Sequence, residues 1–146
     1  MLDLDRFKLF LHDRNLKATP QRLAVHRAMI ELGHACADTV ADHIRLNTDI
    51  RISDASVYNI LSQLAKMGVY RYLLSSNNKL YFDVNTKRHA HLYDRVNHEF
   101  RDLCEDGAIE LMEKHFRGRR WRGYKFEGIE INLVCRPSRS SFPKNR

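Results

Sequence analysis

Leu4, Phe7, Phe10 and Leu11 fall at i, i+3, i+6 and i+7, one stripe of an amphipathic helix over residues 3–14 that Asn15 ends. Thr19 then precedes Pro20, an N-cap followed by a residue whose missing N–H costs nothing at the first helical position. The second helix continues through Leu23, Met29 and Ile30 to Gly33. A third, shorter helix fits residues 37–46, with His34 at its beginning. Ser53 can cap a fourth, whose Val57, Ile60, Leu61, Leu64 and Met67 keep the 3.6 period most closely, and Gly68 stands where a left-handed C-terminal cap is wanted. Two β-rich runs follow, 69–74 and 79–84, joined by the polar cluster Ser75-Ser76-Asn77-Asn78, which suits a hairpin loop. Three helices and a hairpin are the layout of a winged helix.

Beyond residue 84 the pattern changes. Two short strands, 88–96 and 99–103, lead to a helix over 106–116 and a strand over 124–135. In that last strand Ile129, Ile131, Leu133 and Cys135 alternate with Glu130, Asn132 and Val134, so one face is expected to be buried. The fold class expected is therefore α+β: an N-terminal winged helix (1–84), a small C-terminal α/β unit (85–136) and a disordered basic tail (137–146). A unit of ~60 residues buries too little surface to be comfortable alone, so a second copy is its expected partner.

Charge sharpens this picture only slightly. The chain has 25 Lys+Arg against 18 Asp+Glu, a net charge of +7 that divides as +2 through residue 83 and +5 beyond it. That favours an anionic partner without confining it to a tail. No stretch of ~20 apolar residues could span a bilayer. Asp3 and Asp5 occupy the place where a signal peptide needs a basic segment, so the cytoplasm is the expected compartment. Cys36, Cys104 and Cys135 form no Cys-x-x-Cys pair and read as buried or incidental thiols.

The fourth helix turns Ser56, Asn59, Ser62, Gln63 and Lys66 toward solvent, with Tyr58 at the border. On an arbitrary helix this would be a solvated face. Beside a hairpin carrying Arg71 and Lys79 as phosphate contacts, it is a set of side chains suited to base edges in the major groove. The histidines hold the second signal. His89 and His91, at i and i+2 on a strand, point to the same face and can chelate, but a His-x-His pair alone is weak evidence. His34, Asp83 and Asp102 could complete a site only if the winged helix folds back onto the α/β unit, which spacing alone does not show.

Four segments, in this order, carry a family resemblance: Leu16-Lys17-Ala18-Thr19-Pro20-Gln21-Arg22, Gly33-His34-Ala35-Cys36-Ala37-Asp38, Ala55-Ser56-Val57-Tyr58-Asn59-Ile60-Leu61, and Asn78 to Asp83 leading into His89-Ala90-His91. The chain resembles the ferric uptake regulator (Fur) superfamily of bacterial metal-dependent repressors from about Asn15 to Cys135. The resemblance implies a winged helix, a hinge near residue 84 and a C-terminal α/β dimerisation domain. It implies that Lys17 approaches the minor groove and Tyr58 contacts bases; together with the residues read from the fourth helix and the hairpin, the expected DNA-facing set is Lys17, Arg22, Ser56, Tyr58, Asn59, Gln63 and Lys79. It maps the regulatory metal site onto His34, Asp83, His89, His91 and Asp102. The expected protein is a homodimer on an operator in double-stranded DNA, holding one divalent ion per subunit. Three imidazoles and two carboxylates suit Fe(II), Mn(II), Zn(II) or Ni(II).

The departures are equally specific. Where the family has two Cys-x-x-Cys pairs for a structural zinc, this chain has Asp94-Arg95-Val96-Asn97 and Cys135-Arg136-Pro137-Ser138, so that zinc is not expected. Ala90 between the histidines cannot serve an additional site, and Asn59 replaces the arginine that often follows the recognition tyrosine. Two alternatives remain open. One is a DNA-binding regulator with a vestigial metal site. The other is a mononuclear metal enzyme built on His89, His91 and a carboxylate, against which stand the lack of a general base or substrate-pocket signature and a five-ligand set that leaves at most one open position. The site's two carboxylates are both aspartates, Asp83 and Asp102, an arrangement that resembles the superfamily's peroxide-sensing branch, whereas iron-sensing members more often place glutamate there.

Overall fold

Asp3 caps α1 (Leu4–Asp13) by accepting a hydrogen bond from the Arg6 amide at 2.8 Å. Thr19 does the same for α2 (Pro20–Leu32) through the Arg22 amide at 3.3 Å, and Ser53 for α4 (Asp54–Lys66) through the Ser56 amide at 3.2 Å. Between them lies α3 (Ala37–Asn47). Gly68 follows α4 with φ +79°, the left-handed region that a side chain would resist, and its amide bonds back to the Ala65 carbonyl. The computed structural model describes residues 1–103 and 106–138, and the chain divides after Lys87 into two units.

In the first unit, Phe7 and Leu11 of α1, Val25 and Met29 of α2, Val40 and Ile44 of α3, and Val57, Leu61 and Leu64 of α4 form one buried cluster closed by Phe82. The hairpin is β2 (Arg71–Leu74) and β3 (Leu80–Asp83), antiparallel. Sequence periodicity missed a third strand. His34 does not begin α3 but opens β1 (His34–Cys36), which pairs with β3 so that His34 lies opposite Asp83. Three residues after a glycine have no period to read, and only the partner strand turns them into sheet. This makes the unit a winged helix whose sheet has the order β1-β3-β2.

His26 is the unexpected member of this core. It is 1% exposed on α2, stacked on Phe7 with ring centroids 3.9 Å apart. Its Nδ1 lies 2.8 Å from the Tyr70 hydroxyl and its Nε2 2.9 Å from the Leu2 carbonyl. A neutral ring protonated at Nε2 satisfies both, donating to Leu2 and accepting from Tyr70. Burial pushes the imidazole below its ordinary value of 6.5, despite the Leu2 hydrogen bond and the nearby Asp3. Burial likewise raises the Tyr70 phenol, so both groups stay neutral. The unfolded chain therefore takes up a proton as pH falls through 6.5 while the folded chain does not, so stability declines below that pH by at most about 1.4 kcal/mol per unit. Urea unfolding followed by circular dichroism from pH 7.5 to 5 should show this decline flattened in His26→Gln; equal slopes would place the acid sensitivity elsewhere.

The second unit contains β4 (Ala90–Asp94), β5 (Glu99–Leu103), α5 (Asp106–Phe116) and β6 (Asn132–Cys135). Its sheet order is β5-β4-β6, with β4 and β6 parallel. Tyr93 and Phe100 stack across β4 and β5 with centroids 4.6 Å apart. The strand expected over 124–135 is shorter, with only a Trp121–Tyr124 bridge upstream of β6. The face expected to be buried is the more covered one, but only in part. Leu133 is 48% exposed while Ile129, Ile131 and Cys135 are half-buried, because burying a strand face needs a second layer packed on it, which pairing with β4 does not supply. Cys104 and tail residues 139–146 lie outside the described residues.

Candidate metal centre and nucleic-acid interface

A groove of about 940 Å³ opens on the first unit between the 15–22 segment and α4, and it gathers Lys17, Arg22, Ser56, Asn59 and Gln63. Arg22 ties the two sides together. Its Nη1 donates to the Lys17 carbonyl at 2.8 Å and its Nη2 to Gln63 Oε1 at 3.2 Å. The Thr19 cap sets the direction of α2 and so aims Arg22 across the groove. The groove also contains Gln21 and Arg51, which the pattern of apolar positions did not single out. Arg51 sits two residues before the Ser53 cap, and that proximity to a helix start was its only sequence signal. Tyr58, 48% exposed on α4, and Lys79 do not line this groove. Lys79 Nζ pairs with Asp38 Oδ2 at 2.7 Å, which holds its ammonium above the ordinary range. Arg71 Nη1 donates to the Lys87 carbonyl at 3.4 Å.

The first unit also holds two of the candidate ligands. The β1–β3 register sets His34 opposite Asp83, with Nε2 3.5 Å from Oδ1. Asp83 is fully buried and accepts the Asn85 amide at 2.7 Å. Burying a carboxylate costs several kcal/mol unless cations or donors compensate, so this position suits a ligand better than a surface acid.

The second unit holds the other three. His89 precedes β4 and His91 lies within it, their Nε2 atoms 2.8 Å apart, while β5 sets Asp102 opposite His91. Asp102 Oδ1 is 3.1 Å from His89 Nε2, and each of the three residues offers a ligand atom within 4.8 Å of the others. Two nitrogens bound at right angles to one ion at 2.0–2.1 Å would be about 2.9 Å apart, so the imidazole spacing fits a chelating pair. Donors of this kind, two imidazoles and a carboxylate, accept Fe(II), Mn(II), Zn(II) or Ni(II). Phe100 flanks His91 edge-on at 5.9 Å, and Ala90 and Phe100 are buried beside the group.

A four-thiolate zinc does not fit the residues present. Asp94 and Cys135 are neighbours across β4 and β6, but Cys135 is the only described cysteine in this unit. Where a first cysteine pair would stand, Asp94 closes its own turn, accepting from the Val96 amide at 2.8 Å, the Asn97 amide at 3.2 Å and Asn97 Nδ2 at 2.8 Å. Partial burial pulls this carboxyl upward, but the hydrogen bonds outweigh it and hold Asp94 below the usual carboxylate range.

Comparison with known proteins identifies the family. The model of the ferric uptake regulator family matches residues 13–133. The chain belongs to that family. Among solved structures, the Vibrio cholerae ferric uptake regulator is similar at 22% identity and a TM-score of 0.73, over 89% of this chain and 98% of that one. The Pseudomonas aeruginosa ferric uptake regulator with manganese is 21% identical, with a TM-score of 0.66 over 90% and 98%. The Campylobacter jejuni peroxide stress regulator is 21% identical, with a TM-score of 0.61 over 96% and 99%. At these identities the likeness establishes the fold. No curated protein matches the chain. Ferric uptake regulator family proteins are metal-responsive regulators of transcription, and among the described residues no helix is long and apolar enough to cross a membrane.

Proposed function

We propose that this family member is a cytoplasmic, homodimeric repressor that binds a partly palindromic operator when His34, Asp83, His89, His91 and Asp102 share one divalent ion. The observation that carries the reading is the group formed by His89, His91 and Asp102, which converges two imidazole nitrogens 2.8 Å apart and a carboxylate oxygen 3.1 Å from one of them, donors that suit one divalent ion. His34 and Asp83 belong to the winged helix, so an ion ligated by all five selects one orientation of the two units. Bound, the ion supplies charge and directional coordination, and the protein converts these into a spacing between recognition helices near one turn of DNA (~34 Å). On this reading residues 1–84 are the DNA-binding domain, with Lys17, Arg22, Ser56, Tyr58, Asn59, Gln63 and Lys79 facing the duplex, and residues 85–136 are the dimerisation domain. Leu111 and Met112 of α5 and Leu133 and Val134 of β6, each at least 41% exposed in the single chain, offer the apolar surface that a second copy would cover.

Fluorescence anisotropy on an operator selected from random duplexes tests the proposal. Mn(II) should tighten binding, and a chelator should weaken it while circular dichroism and sedimentation still show a folded dimer. That last expectation follows from the missing cysteine pairs, because a four-thiolate zinc contributes folding energy directly. DNA affinity indifferent to chelation would favour a vestigial metal site, and loss of the dimer would expose a structural metal that this reading lacks.

A second reading, peroxide sensing, is favoured by the two aspartates at the carboxylate positions, and the similar Campylobacter jejuni protein is a peroxide stress regulator. One peroxide consumed would insert one oxygen into an imidazole C–H and release one water, destroying a ligand and freeing the DNA. Mass spectrometry should then find one added oxygen on a peptide containing His34, His89 or His91, in the Fe(II) form and not the Mn(II) form. Unmodified histidines after equal peroxide leave plain metal sensing.

A further inference from the structure

The turn after α5 holds none of the residues assigned above to the operator or to a second copy, yet it has an unusual composition. Residues 117–126 contain Arg117, Arg119, Arg120, Arg122 and Lys125 and no carboxylate, so they hold five of the chain's 25 basic residues. Glu113 engages Arg117 at 3.2 Å, and Arg119 is placed between His115 Nε2 at 2.9 Å and the Phe116 ring at 5.7 Å. Arg120, Arg122 and Lys125 have no carboxylate partner among the described residues. Between these cations Trp121 and Tyr124 are 45% and 84% exposed.

The turn is built, not loose. Trp121 and Tyr124 form a bridge in which the Tyr124 amide donates to the Trp121 carbonyl at 3.0 Å, and Gly123 holds φ +81°, which a side chain would strain. Phe116 backs Trp121 at 6.3 Å. The result is an open cleft of about 600 Å³ lined by Arg119, Arg120, Trp121, Arg122 and Tyr124, among others.

We propose that residues 117–126 bind single-stranded nucleic acid. Guanidinium groups pair with phosphates, and exposed aromatic rings stack on bases of any sequence. A duplex keeps its base faces covered, so only an unpaired strand can use Trp121 and Tyr124 together with the arginines. A membrane surface is the competing partner for a basic aromatic loop. It would favour aliphatic side chains able to enter the acyl region, and residues 117–126 contain no Leu, Ile, Val or Met. The proposal uses no residue of the winged helix and stands independently of how that unit reads an operator.

Trp121 is the chain's only tryptophan, so its fluorescence reports on the turn. The intact protein would be titrated with oligo(dT) and oligo(U) of about 12 nucleotides. Saturable binding with quenched emission is expected, and the two oligomers separate a DNA source from an RNA one. Anisotropy with labelled oligomers should show Trp121→Ala weakening the complex roughly tenfold, with Trp121→Phe retaining most of the affinity. Arg120→Ala combined with Arg122→Ala should reduce the salt dependence by about 1.4 in logarithmic slope. Tyr58→Ala should leave single-strand binding in place, which separates this site from the recognition helix. Unchanged affinity for both oligomers in Trp121→Ala, an equal loss of affinity for a blunt duplex in the same variant, or a blue shift with phosphatidylglycerol vesicles and no quenching by either oligomer would overturn the proposal.

Discussion

Replacing His91 with alanine is expected to abolish metal-dependent operator binding while leaving weak, nonspecific DNA binding in place. His91 is 3% exposed, lies 2.8 Å from the His89 nitrogen and faces Asp102 across the sheet, so its ring cannot be replaced by movement of a surface residue. Losing even a supporting partner of a metal ligand costs 10- to 100-fold in affinity, so loss of the ligand itself should cost at least about 100-fold. DNA affinity should fall in turn, because fewer dimers hold the competent orientation at a given metal concentration. Equilibrium dialysis against Mn(II), paired with operator anisotropy, measures both. Asp102→Ala should follow the same course more mildly, since Asp102 is the most exposed of the three residues. Unchanged Mn(II) affinity in His91→Ala would remove this group from the regulatory site.

The second large effect belongs to Tyr58. Its exposed ring projects from α4, and a lost base contact should cost about 1–3 kcal/mol in specific binding, while binding to random duplex stays within about twofold. Lys79→Ala should behave differently, weakening specific and random binding together and lowering the salt slope by about one unit. The ion pair with Asp38 adds a test of its own: Asp38→Asn removes the partner that Lys79 must leave to reach a phosphate, so it should strengthen binding to both kinds of duplex at low salt. Equal loss on specific and random DNA in Tyr58→Ala would show that α4 does not read the operator.

The Thr19 and Ser53 caps and the apolar stripes of α1 and α4 were legible in the sequence because these signals are local. Thr19 and Ser53 each satisfy an amide three residues on, and the stripe of α4 lies within one turn of its neighbours. The hairpin was legible for the same reason, and the His89–His91 pair followed from strand alternation. Tertiary structure decided the rest. His34 takes its place opposite Asp83 only because β1 pairs with a strand nearly fifty residues away, and Asp102 reaches His89 only through the β4–β5 register. Arg22 and Gln63, 41 positions apart, meet because α2 and α4 pack in one core, and the same packing brings in Arg51. His26 reads as a polar helix position until Phe7, Tyr70 and Leu2 surround it. The last strand erred in the other direction: alternation at 129–135 marks a face able to be covered, but burial depends on a neighbouring layer, which no period along a single chain can specify.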